Sequence, residues 1–110
     1  PLVIDYALIS KYFVQEVDKE SNVYPTIIPN WDHTPRSGSK GAVYHNSTPD
    51  LFEKHVRDVF NVIKDKVEED KVVFLKSWNE WAEGNYMEPD LKFGSQYIDV
   101  LGRARQQNEK

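Results

Sequence analysis

Between Thr48 and Leu75 the hydrophobic period switches from helical to extended, and this switch constrains the fold more than any other feature of the chain. Thr48-Pro49-Asp50 is a helix start. Thr48 can cap, Pro49 fits a first turn whose N–H groups have no intrahelical partner, and Asp50 is favourable at the positive end of the helix dipole. Phe52, Val56, Val59, Phe60, Ile63 and Val67 then recur every three or four residues, which predicts an amphipathic helix ended by Glu68-Glu69-Asp70. Lys71-Val72-Val73-Phe74-Leu75 follows, reading as a buried strand that leads into Lys76-Ser77-Trp78-Asn79.

The flanking segments repeat the pattern. Ile4, Leu8, Ile9, Tyr12 and Phe13 are spaced as a helix over roughly Asp5 to Val17. Pro25 and Pro29 restrict the next apolar run to a short strand, Thr26 to Ile28. Turn-forming Pro35, Gly38 and Gly41 predict a long loop from Asp32 to Ser47, and a second loop is expected from Glu80 to Phe93. Tyr97, Ile98 and Leu101 suggest a last helix whose polar end, Gln106 to Lys110, should fray.

Helix, strand, loop, helix, strand, loop, helix is the order of parallel α/β structure with right-handed crossovers. Two strands cannot make such a sheet alone, and a whole (β/α)8 TIM barrel takes about 250 residues. The expectation is therefore that residues 1–110 form a single segment, the C-terminal fragment of such a barrel, with about two β/α units plus a preceding helix. Open sheet edges in a fragment of this kind predict self-association.

Charge removes several classes of partner. Lys plus Arg number 14 and Asp plus Glu 18, a net charge of −4, so there is no electrostatic footprint for nucleic acid or anionic lipid. Without cysteine there is neither a disulfide framework nor a thiolate metal site, and the longest uncharged stretch, Ser21 to Trp31, is too short to span a bilayer. Asp5 and Lys11 interrupt any signal-peptide core, so a cytoplasmic location is expected, and Pro1 in place of an initiator Met suggests that upstream sequence is missing. His45 and His55 have no partner at metal-ligand spacing, so no metal is expected, and no cofactor is implied. Asn46-Ser47-Thr48 matches a glycosylation acceptor, but Thr48 is better explained as a cap. The 3 Trp, 6 Tyr and 5 Phe suit a dense core or a surface that stacks sugar rings.

The densest polar and aromatic cluster is Trp78-Asn79-Glu80-Trp81-Ala82-Glu83-Gly84, directly after the second strand. Catalytic groups of α/β folds gather at the carboxyl ends of strands. Carboxylates three residues apart in a helical turn have Cβ atoms about 5–6 Å apart, close to the roughly 5–5.5 Å carboxyl separation of retaining glycosidases. Glu80 and Glu83 are thus a candidate acid–base pair, although such pairs also occur on solvated helix faces. Trp78 and Trp81 suit a core, a stacking surface, or both.

The segment from Trp78 to Asp90, with Asn85-Tyr86-Met87-Glu88-Pro89 inside it, then Lys92-Phe93-Gly94 and Tyr97, resembles the C-terminal signature of WbsX-like proteins, also called glycoside hydrolase family 99-like. Tyr24-Pro25, Pro29-Asn30-Trp31-Asp32-His33-Thr34-Pro35-Arg36 and Thr48-Pro49-Asp50-Leu51-Phe52 resemble further blocks of the same family in the same order. The resemblance implies a carbohydrate-active protein of bacterial surface-polysaccharide (O-antigen or lipopolysaccharide) metabolism, related to endo-α-mannosidase-type hydrolases on a (β/α)8 barrel. It further implies that Glu80 acts as base on the sugar 2-hydroxyl, giving a 1,2-anhydro intermediate, while Glu83 protonates the leaving oxygen and later activates water, with net retention. Those hydrolases carry His where this chain has Ala82, which bears on mannoside specificity more than on the acid pair.

Asp32, His33 and Arg36 follow the first strand and are expected to line the same mouth, with Trp31 as a sugar platform and Arg36 as a donor to hydroxyls or a uronate. Asp32 could equally cap a turn and pair with Arg36. Trp78, Asn79, Trp81 and Glu88 complete the expected substrate-binding set, and Glu88 and Asp90 could instead organise the loop around Pro89. Three readings stand beside one another: a retaining glycoside hydrolase, a glycosyltransferase as the family is often labelled, and a non-catalytic sugar-binding barrel.

Overall fold

The chain opens on a strand that lies just ahead of the helix predicted from Asp5 to Val17. In the computed structural model, which describes residues 1–108, β1 (Leu2–Asp5) pairs in parallel with β4 (Ala42–His45) in the register Leu2↔Ala42 to Asp5↔His45. Leu2-Val3-Ile4 is an apolar, partly β-branched run that a neighbouring strand can use, and Asp5 ends it by accepting a hydrogen bond from Ala7 N (3.1 Å) at the start of α1 (Tyr6–Ile9). The expected helix to Val17 is replaced by this one turn and two 3-10 turns, Ser10–Tyr12 and Glu16–Lys19. The bend brings the Phe13 ring against Tyr6, Tyr44 and His55.

β2 (Thr26–Ile27) lies where the sequence placed a strand, and pairs in parallel with β5 (Phe74–Leu75). The predicted loop from Asp32 to Ser47 is more ordered than its glycines suggested. It holds the end of β3 (Trp31–Asp32), α2 (Thr34–Ser37), a 3-10 turn at Gly38–Lys40 and the whole of β4. β4 is the central strand of a three-stranded sheet, with β1 parallel on one side and β3 antiparallel on the other.

α3 (Pro49–Ile63) begins as read, with Thr48 Oγ1 accepting from Leu51 N (3.2 Å). It stops earlier than the period implied, leaving Val67 exposed. The strand after it is shorter and less buried than expected: only Phe74 and Leu75 pair, while Val72 and Phe74 face solvent. β6 (Asn79–Glu80) and β7 (Asn85–Tyr86) form an antiparallel hairpin around a 3-10 turn, Trp81–Glu83, inside the predicted second loop. α4 (Gln96–Asn108) packs against α3, and Ile27, Phe52, Val56, Val59, Met87, Tyr97, Val100 and Ala104 form the core between them. α4 is helical through Gln106 and Gln107, and the expected fraying at 109–110 lies outside the described residues.

These elements overturn the expected C-terminal fragment of a (β/α)8 TIM barrel. Among the described residues the strands fall into three separate sheets of three, two and two strands, with four α-helices and no closed barrel. The physical reason is strand length and direction. Ladders two to four residues long cannot extend into one curved sheet, and the antiparallel β3–β4 and β6–β7 pairings interrupt the parallel pattern that a barrel requires. Among the described residues no helix is long and apolar enough to cross a membrane.

Candidate functional site

The hairpin carrying the two carboxylates is fixed to the rest of the chain by two asparagines. After β5 the Lys76–Ser77 peptide is cis, and Ser77 Oγ donates to the side-chain oxygen of Asn85, which is fully buried. Asn85 Nδ2 in turn donates to Asn30 O (2.6 Å), and Asn30 Oδ1 accepts from Tyr86 N (2.9 Å). A buried amide such as that of Asn85 is costly unless paired, and here it and the half-buried Asn30 tie β7 to the segment just before β3. Trp78 O accepts from both Met87 N (2.9 Å) and Glu88 N (3.2 Å), which closes the base of the hairpin.

At its tip, Gly84 adopts the left-handed conformation (φ 55°, ψ 37°) that ends the 3-10 turn and sits against Asp32. Glu80 and Glu83 are thereby turned towards α2. Glu80 Oε2 lies 3.8 Å from Arg36 Nη2, and Glu83 Oε1 lies 3.7 Å from His33 Nε2. Glu83 is the more enclosed of the two, its side chain 20% exposed against 47% for Glu80. His33 is held by stacking on Trp31 (centroids 5.7 Å, interplanar 19°) and by Ser37 Oγ at 3.0 Å from Nδ1. A hydroxyl can donate to or accept from Nδ1, so Nε2–H can face Glu83 whether the ring is neutral or charged.

Trp81 stacks on Tyr86 at 3.7 Å (15°) and donates from Nε1 to Glu88 Oε1 (2.8 Å). Trp78 and Trp81 both remain about half exposed, and Asn79 is exposed on β6. Asp90 organises its loop by accepting from Tyr86 OH (2.9 Å) and Phe93 N (2.7 Å). Burial, followed by the hydrogen bond and charge of Asp90, pushes the Tyr86 phenol up to about 12, so it stays a neutral donor.

The structure sorts the predicted residues into two groups. Glu80 pairs with Arg36, Glu83 with His33 and Trp81 with Glu88 around the hairpin, with Trp78 and Asn79 at its root. Trp31 and Asp32 line a cleft that also includes Gly84 and Tyr86. Asp32 also caps a turn, Oδ1 accepting from Thr34 N (3.0 Å) and Thr34 Oγ1. Arg36 faces Glu80 rather than Asp32. Asn30 and Asn85 were not singled out as site residues by sequence, because contacts spanning up to 56 residues leave no local period, and Ser37, four residues from His33, was passed over as part of a loop. Among the described residues no group of three or more His, Asp or Glu side chains could hold a metal ion.

Residues 1–101 match the family model described as Glycosyltransferase WbsX. The chain is 30% identical over 103 residues to WxcX of Xanthomonas campestris pv. campestris, described as an uncharacterized protein, in each of two strains. That match takes in 93% of this chain and 15% of the relative, so the chain spans about one seventh of the curated proteins it matches. No solved structure matches it. On a family match that runs through nearly all of its length, the chain belongs to the WbsX glycosyltransferase family.

Proposed function

We propose that this chain contributes the acid–base pair of a carbohydrate-active enzyme that works on glycosidic bonds of a bacterial surface polysaccharide with retention. The observation that supports it is that each carboxylate meets its own basic partner from one short element: Arg36 beside Glu80 and His33 beside Glu83. Arg36 can orient the Glu80 carboxylate towards a substrate hydroxyl. Glu80 removes the proton from the sugar 2-hydroxyl as O2 attacks C1, while Glu83 gives its proton to the leaving oxygen. In the second half Glu83 takes a proton from water attacking C1, and Glu80 returns its proton to O2 as the three-membered ring opens. Trp81 offers an exposed ring for stacking, and Trp78, Asn79 and Glu88 border the same face.

Transfer to a sugar acceptor is the second reading, favoured by the family's description. It replaces the attacking water with an acceptor hydroxyl. Product analysis on the longer protein separates the two: free reducing sugar without a nucleotide-sugar donor supports hydrolysis, and strict donor dependence supports transfer. Ligand binding with no turnover under either condition rejects both and leaves a sugar-binding role. The same proposal places the protein in the cytoplasm. It also includes self-association of the isolated chain through edge strand β1, where Leu2 and Val3 are mostly exposed, which sedimentation of the 110 residues tests.

A further inference from the structure

Beside Gly84 lies a cleft of about 340 Å³ lined by residues of β3, β4, the hairpin and the start of α4. This is within the size range of small-molecule sites, about 300–1,000 Å³. We propose that it is a subsite for a neutral pyranose ring, one unit along the sugar chain from the ring that the acid pair handles; the inference rests on the glycan reading above.

The walls supply what such a ring needs. Trp31, Tyr44, Tyr86, Phe93 and Tyr97 all line the cleft. Trp31 and Tyr44 meet at 6.4 Å and Phe93 and Tyr97 at 5.6 Å, both tilted, so the rings form two inclined surfaces rather than one closed stack. The C–H face of a pyranose is apolar and its rim is polar, which is the match for aromatic rings with polar groups at their edges. These rings are anchored. Tyr86 OH donates to Asp90, and the Tyr97 hydroxyl lies 2.6 Å from Ser47 Oγ, which donates to Pro29 O. A preorganised wall loses little side-chain entropy when a ligand arrives.

The charges in the cleft favour a neutral ring over an acidic one. The lining holds Asp32 and Asp90 with Lys92, whose ammonium sits over the Phe93 ring at 5.1 Å, and His45, while Lys76, outside the lining, reaches over the Trp31 ring at 5.3 Å. Both oxygens of Asp90 and one of Asp32 are already accepting hydrogen bonds, which leaves the second oxygen of Asp32 for a sugar hydroxyl. Asn46, held at φ 60°, adds an exposed amide on the rim. A carboxylate or phosphate on the ligand would meet two carboxylates and one lysine in the lining itself. Because Gly84 lines the cleft and directly follows Glu83, a ring bound in it adjoins the catalytic hairpin.

Titrating methyl β-D-glucopyranoside and, separately, glucuronate into the ¹⁵N-labelled 110-residue chain tests this. Saturable amide shifts clustered at Trp31, Tyr44, Asn46 and Phe93 are expected with the neutral glycoside, with at least fivefold weaker binding of glucuronate. Tyr44→Ala should weaken binding fivefold or more. Asn46→Gly, which removes the side chain at a backbone angle that glycine adopts freely, should weaken it about threefold without a folding penalty. No saturable shift, tighter binding of glucuronate, or unchanged affinity in Asn46→Gly overturns the proposal. Binding is read without turnover, so the two readings fail separately. Cleft binding with full activity in Glu80→Gln rejects the acid pair alone, and absent binding with activity lost in Glu80→Gln rejects the subsite alone.

Discussion

Gly84 and Asp32 are packed so closely that a Cβ on Gly84 would lie 2.5 Å from Asp32 Cβ and 2.7 Å from Asp32 N. This contact joins the hairpin of Glu80 and Glu83 to β3, and so to the α2 side chains that face the two carboxylates. Gly84→Ala would add a steric clash to a left-handed backbone angle, for an expected loss of about 2 kcal/mol or more. Denaturant unfolding of the 110-residue chain measures it; a loss under about 0.5 kcal/mol would show that the contact relaxes freely.

Glu80→Gln and Glu83→Gln should each reduce turnover by the longer protein about a hundredfold or more, since acid–base catalysis is worth roughly that much. Both variants should unfold within about 0.5 kcal/mol of the parent, as neither carboxylate is buried. Rate constants near the parent value in either variant reject that residue's role.

His33→Gln and Arg36→Met should separate orientation from stability. The Arg36–Glu80 pair is about half exposed on both sides, and such surface pairs contribute about 0–1 kcal/mol. The melting temperature should therefore barely move, while kcat falls about tenfold with KM little changed. A fall in melting temperature with unchanged kcat would make the pairs purely structural.

Trp81 presents an exposed ring stacked from behind by Tyr86. Trp81→Leu should weaken glycan binding by about 1 kcal/mol, a typical aromatic contribution. Isothermal titration with the oligosaccharide substrate reads this, and equal affinity for parent and variant would return Trp81 to a packing role.

His55 gives the chain an acid-sensitive core. Its Nε2 accepts from Ile28 N (3.0 Å), so the ring is neutral with its proton on an Nδ1 that has no partner among the described residues, and burial lowers its pKa from 6.5 to about 4. Between these values the unfolded chain binds a proton that the folded chain refuses. Stability must therefore fall as pH drops from about 6.5 to about 4, by about 3 kcal/mol in all. Urea midpoints at pH 7, 6 and 5 should decline for the parent and flatten for His55→Gln; parallel declines would place the sensitivity elsewhere.

Several elements were legible because their signal is local. Thr48-Pro49-Asp50 and the apolar spacing from Phe52 to Ile63 specify α3 through capping and one buried face, and Pro25 and Pro29 bracket β2. The candidate cluster from Trp78 to Gly84 was also visible, since tryptophan, carboxylate and glycine lie together in one short run. The sequence alone thus determined the main helix, the family and the residues worth testing.

Tertiary structure decided the rest. Ile4 fits a helical spacing with Leu8 and Ile9, yet the parallel partner β4 draws Leu2–Asp5 into a strand, because an extended backbone must find its hydrogen bonds in another segment. Val72 and Phe74 read as core by composition, yet a two-residue pairing with β2 leaves them uncovered. Whether Arg36 met Asp32 or Glu80, and whether Trp31 joined the acid pair or a separate cleft, depended on Gly84 and on Asn30 meeting Asn85 across 55 residues. Such contacts are set by how separate segments pack, which one-dimensional periodicity does not encode.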